Sequence, residues 1–257
     1  MSAYTFDATD RRSTNTLIGK VFGVMFVGLF LTAIIALGAG MIFSYAIFGT
    51  LKVGDFNYYD VENNMNIGAI QGFLIVLIIS AVALLITSIV IHIVFLRGKH
   101  SLLIPVTLYV GLMGLVLSEL VIFLPWEILG ITFLITSSVF GIMFLISYLS
   151  KGNLGILGLI GIGLLVGSAF IGLVGLLFML TGLLGDYIML YWIVSIASFA
   201  GMMFITIWDM WRIKVIAEQG SMSSNLVLYC AFTLYVDFIY IFLRVLRIVA
   251  YFYSKKR

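Results

Sequence analysis

Charge is scarce in this sequence: only 10% of its 257 residues are Asp, Glu, Lys or Arg, while 63% are hydrophobic and the mean hydropathy is +1.23. A water-soluble domain of that composition would expose a very large apolar surface, so the chain reads as an integral membrane protein. Basic residues exceed acidic ones by only 14 to 11, which excludes a basic field able to hold nucleic acid and leaves the excess to membrane orientation. With one cysteine, Cys230, no intrachain disulfide can form, and a lone cysteine in an apolar segment reads as a small core hydrophobe. The two prolines, Pro105 and Pro125, do not form the matched pair of broken helices found in many secondary transporters. His92 and His100 lie eight apart near the end of an apolar run, a spacing that suits a solvated interfacial pair better than haem or metal ligands. No GxSxG or equivalent supports nucleophilic hydrolysis. No enzyme and no resident cofactor are expected.

What the chain has in abundance is long apolar runs. A helical span needs about 20 predominantly apolar residues, and seven such runs are present, near 17–48, 67–96, 101–124, 128–149, 154–180, 187–211 and 225–250. They are continuously apolar rather than alternating, which predicts helices and not a barrel. The expected fold is an all-α seven-transmembrane helix bundle, with residues 1–16 as a polar cytoplasmic tail and 17–257 as one membrane domain. The apolar run after the polar segment MSAYTFDATDRRSTNT is far longer than the core of a cleaved signal peptide, so the amino terminus is expected to be retained.

Orientation follows from basic residues in short loops. Arg11, Arg12, Lys20, Arg97, Lys99, Lys151, Arg212 and Lys214 fall on one side of the seven runs, whereas the opposite loops hold Lys52 against Asp55, Asp60, Glu62, Glu127 and Asp186. The amino terminus is therefore expected in the cytoplasm. One group disobeys: seven complete crossings place Arg244, Arg247, Lys255, Lys256 and Arg257 at or beyond the outer face. Either the early helices set the topology and the tail follows, or the last segment dips in and returns; the full crossing is the favoured reading.

The fifth run is dense in glycine, with Gly163 and Gly167 in GxxxG spacing and Ser168 and Gly172 four apart. Small residues let helix backbones approach closely in lipid, so these positions are expected to pack within the bundle, with a dimer seam or a gating hinge as the alternative.

Acids inside the spans are rarer still: Glu119, Asp209 and Asp237. Glu119 lies near a helix end, where it can reach the headgroups. Asp209, beside Trp208, Trp211 and the Arg212 and Lys214 cluster, would by itself read as interfacial. Asp237 sits in the oily stretch TLYVDFIYIFLRVLR, where an ionised carboxylate costs several kcal/mol. The segment GSMSSN at 220–225 marks the turn of a helical hairpin. Asp209 lies 14 residues before Ser223 and Asp237 lies 14 after it, which puts both carboxylates roughly 21 Å from the turn. Matched depth lets them touch, though spacing does not fix which way each faces.

LYVDFIYIFLRVLR closely resembles the last-helix signature of the Bax inhibitor-1 (transmembrane Bax inhibitor motif) family. IWDMWRIK is similar to that family's sixth-helix pattern, and SSVFGIMFLISYLSKGNLG to its fourth helix and following basic loop. The resemblance implies that Asp209 and Asp237 match the family's pH-sensing carboxylate pair, that Arg247 matches the arginine ten residues after the second aspartate, and that Arg97 lies close to a second-helix arginine that contacts the pair. It also implies a proton-regulated calcium leak protein of a bacterial plasma membrane. Tyr240, Arg244 and Ala250 depart from the family's pattern.

Physics points the same way. Two carboxylates in contact and partly desolvated cannot both ionise cheaply, so they are expected to share a proton. Losing it favours separation of the helices or capture of a cation. Calcium takes six to eight oxygens and two aspartates give at most about four, which describes a weak, transient site suited to leakage. The expected partners are thus the bilayer, Ca2+ and protons, with the protein acting as a monomer. Two alternatives stand beside this reading: a proton-coupled secondary transporter, and an intramembrane aspartyl protease, to which LLGDY at 183–187 offers only a faint likeness.

Overall fold

The computed structural model describes residues 3–49, 66–98, 100–150, 152–180, 188–219 and 223–256. Seven helices follow in order: α1 (Ala3–Phe48), α2 (Ile67–Arg97), α3 (Leu103–Phe123), α4 (Trp126–Leu149), α5 (Gly155–Leu180), α6 (Ile188–Glu218) and α7 (Ser224–Lys256). Each is long and apolar enough to cross a membrane, so the expected all-α seven-helix membrane architecture is the one observed. The loop residues Lys52, Asp55, Asp60, Glu62, Lys99, Lys151 and Asp186, together with 220–222 of the hairpin turn, lie outside the described residues.

Helix ends follow local chemistry. Asn66 caps α2 by accepting from the Ala69 amide, and Gly98 closes it in a left-handed conformation at φ 62°, which costs glycine nothing. Glu127 stands in the first turn of α4, where a negative charge suits the helix dipole. Ser223 accepts from the Leu226 amide at the start of α7. From there α7 runs unbroken for 33 residues, about 50 Å. An unbroken helix cannot dip and return, so the re-entrant reading of the last segment is set aside.

Two compact units divide the chain. One gathers Asn15–Ile131 with Ser221–Tyr235. Within it, α1 and α3 meet backbone to backbone: a Cβ added at Gly114 would come within 2.7 Å of Ile35, and one at Gly40 within 2.9 Å of Val121. The first half of α7 packs by its rings, Phe95 stacking on Tyr229 at 3.9 Å and Tyr109 meeting Phe232 edge-on at 4.9 Å. Asn225 pins this segment to the start of α3, accepting from the Leu102 amide and donating to the His100 carbonyl.

The other unit gathers Met1–Thr14, Thr132–Gly220 and Val236–Arg257. Glycines make its tightest seam, but not the predicted pair. Gly163 and Gly167 have open space where a Cβ would go. Instead Gly158 faces the Trp208 indole, and Gly161 lies against the Gly201 carbonyl and Ile205, with added Cβ atoms at 2.6 Å and 2.8 Å from them. The close glycines are three apart rather than the expected four, because the helix turns a different glycine face toward α6.

Candidate functional site

α6 turns inward a stripe made of Met202, Thr206, Asp209, Ile213 and Ala217, all buried and spaced for one helical face. Asp209 therefore belongs to the packed side of its helix. On α7, Asp237 is buried beside Phe238, Ile241 and Val245. Exposure falls to 7% at Asp209 and 4% at Asp237, although a buried acid ordinarily demands partners.

Those partners are few. Asp209 Oδ1 lies 3.9 Å from the Arg212 guanidinium, one turn further along the helix, and that guanidinium also covers the Trp208 ring at 5.4 Å. Arg212 is 39% exposed, so this long ion pair reaches from the interior toward its edge. Thr206 donates to the Met202 carbonyl at 2.9 Å and its hydroxyl also faces the Asp237 carboxylate. Asp209, three residues on, stands close enough to act on Asp237 electrostatically. Asp237 Oδ2 is buried without a hydrogen-bond partner. Leaving a buried polar atom unsatisfied costs about 1–3 kcal/mol, a cost that packing alone gives no reason to keep.

The other candidate residues are dispersed. Arg247 is exposed, ten residues and about 15 Å along α7 from Asp237. Arg97 is exposed in the last turn of α2, in the other unit. Glu119 is half-buried on α3 near its end. His92 donates from Nδ1 to the Ser88 carbonyl at 2.8 Å and meets Tyr229 edge-on.

Two departures from the family pattern belong together. Arg244 donates to the Tyr240 hydroxyl on its own helix at 2.9 Å and to Ser195 Oγ on α6 at 3.2 Å, so Tyr240 steadies this cation and Ser195 ties it to α6.

By hydropathy alone Arg212 is a loop charge and Thr206 an ordinary helix residue. Both are placed by helical spacing from Asp209, three residues to either side. Hydropathy hides that spacing because α6 runs on past the end of its apolar run near 211.

A seven-helix membrane protein with two acids buried in adjacent stretches of α6 and α7 is a narrow class. The family model described as inhibitor of apoptosis-promoting Bax1 matches residues 14–254, and the chain belongs to this Bax inhibitor-1 family. It is 31% identical over 246 residues to the inner membrane protein YbhL of Escherichia coli strain K12, covering 93% of this chain and 92% of that protein. It is 34% identical over 144 residues to the uncharacterized protein RP147 of Rickettsia prowazekii, covering 54% of this chain and 57% of that one. No solved structure matches.

Proposed function

We propose that the protein is a calcium leak channel of the bacterial inner membrane, gated by a proton held between Asp209 and Asp237. The observation that carries this is the buried Asp237 oxygen with no partner, beside a second buried carboxylate. With the proton shared, the pair is a closed latch between α6 and α7. With the proton gone, two like charges in a low dielectric repel strongly, and either the helices part or a cation enters. Among the described residues no three His, Cys, Asp or Glu side chains gather. A calcium ion passing the pair would then complete its shell with water, hydroxyl or carbonyl oxygens and would leave readily.

The membrane assignment draws on YbhL, an inner membrane protein. The basic residues of the short loops support a cytoplasmic amino terminus. Nothing in this reading requires bond-making chemistry, so no enzymatic activity is proposed.

Calcium efflux from proteoliposomes across a pH series tests it. Efflux is expected to rise with pH by up to about tenfold per unit, the limit for one titrating proton. Asp209→Asn and Asp237→Asn are each expected to abolish that dependence. Wild-type flux and wild-type pH response in both variants would refute the gate. Saturable, gradient-coupled uptake of a solute would point to a secondary transporter instead.

A further inference from the structure

From Thr132 onward α4 buries Thr132, Thr136, Phe140, Met143 and Ser147 and turns the residues between them wholly or partly outward. These five positions form one helical face. Three of them carry hydroxyls, and none of the three hydroxyls has a hydrogen-bond partner.

Other hydroxyls in the chain behave differently. Thr32, Thr87, Ser138, Thr206 and Thr233 each donate to the carbonyl four residues back, the usual way a helix in lipid satisfies a hydroxyl. Ser138 does so on α4 itself, two residues from Thr136. Valine has nearly the shape of threonine and no group to satisfy, so packing alone gives no reason for threonine at 132 and 136.

The register relates this stripe to the acids. Phe133 and Phe140 both contact the Phe238 ring, at 5.8 Å and 5.4 Å. Thr136, midway between them along the axis, is therefore level with Phe238 and its neighbour Asp237. Thr132 lies about 6 Å to one side of Thr136 and Ser147 about 16 Å to the other. All of these residues belong to the same compact unit. Lys214 is tied to the Tyr148 and Ser150 carbonyls, so its positive charge stands at the end of the stripe and not along it.

We infer that the inner face of α4 lines a hydrated cation path past Asp237, in which Thr132, Thr136 and Ser147 supply neutral oxygen ligands. Two hydroxyls one turn apart, a carboxylate level with one of them and a third hydroxyl further along the same face suit a partly hydrated cation that exchanges waters for protein oxygens as it moves. The inference rests on the leak reading and adds its lining.

The test uses cysteine accessibility and flux on the full chain in liposomes. In a Cys230→Ala background, Thr132→Cys and Thr136→Cys are labelled with a charged methanethiosulfonate reagent at acid, neutral and alkaline pH, with outward-facing Leu134→Cys as the reference. A thiol in a wet path ionises and reacts, whereas one in lipid does not, so the path positions are expected to react at least about tenfold faster. The double variant Thr132→Val with Thr136→Val is expected to lower calcium efflux about thirtyfold, as the loss of two ligands worth about one hydrogen bond each implies. It should leave the pH of half-maximal efflux unchanged, and Thr136→Ser should keep the flux.

Labelling no faster than Leu134→Cys at every pH would overturn the path, and so would unchanged efflux in the double variant. The labelling arm does not depend on the double variant folding. Rapid labelling in a protein that passes no calcium would leave the hydrated path standing and remove the leak reading.

Discussion

Tyr235 and Asp237 stand two residues apart on α7, both polar and both buried, and their surroundings treat them in opposite ways. The Tyr235 hydroxyl lies 2.6 Å from Thr32 Oγ1, which in turn is 3.0 Å from the Gly28 carbonyl and 3.4 Å from that of Val110. Its ring packs over Gly28 and meets Tyr109 edge-on. Every polar atom there has somewhere to go, and such a network fixes geometry. Asp237 keeps one oxygen unpartnered, which leaves a lone pair for a proton or an ion. A satisfied buried group holds a structure together, while an unsatisfied one is available for something that comes and goes.

Replacing each residue should separate the two roles. Tyr235→Ala removes a buried ring and its hydrogen bond with Thr32, and a loss of about 3–5 kcal/mol is expected from thermal or denaturant unfolding in micelles. Asp237→Asn should cost no stability, because it removes a buried charge and nearly preserves the shape. If Asp237→Asn proves the more destabilising of the two, the contrast fails.

A finer test removes only the hydroxyl. Tyr235→Phe is expected to cost about 1 kcal/mol, the net worth of one buried hydrogen bond. Adding Thr32→Val should cost less than the sum of the single changes, since the two share that bond. Additive effects in the double-mutant cycle would show that Tyr235 and Thr32 do not act together.

A small effect on stability is also expected at Arg212. Its pair with Asp209 is long and partly exposed, so Arg212→Gln should change stability by less than about 1 kcal/mol. A cation near a carboxylate favours its ionised form. Without Arg212, deprotonation of the pair becomes harder, and the efflux curve should move to higher pH. Movement to lower pH would mean that Arg212 does not act on the acid pair.

Much of this was readable in the letters. Hydropathy located all seven helices, because the cost of leaving a polar residue in lipid adds up along a run whatever its neighbours do. It misjudged where helices stop. α6 continues to Glu218 although its apolar run ends near 211, because Ile213 and Ala217 still turn inward while Arg212 reaches toward the edge and Lys214 toward the carbonyls that end α4. Hydropathy reports what faces lipid, whereas the backbone ladder continues wherever one face finds a partner. The glycine seam was misplaced for a related reason: spacing names pairs that could pack, and contact with α6 selected Gly158 and Gly161 over Gly163 and Gly167.

The presence of two acids at matched depth was fixed by the order of residues, since depth along a helix is only a count of 1.5 Å steps. Which way each helix faces is not a count. Thr136 is buried without a partner while Ser138, two positions on, is exposed and bonded to its own helix, and nothing local to those letters distinguishes them. Rotation about a helix axis is settled by contact with neighbouring helices, which is why the sequence could name the acids and only the packed structure could show the oxygens left around them.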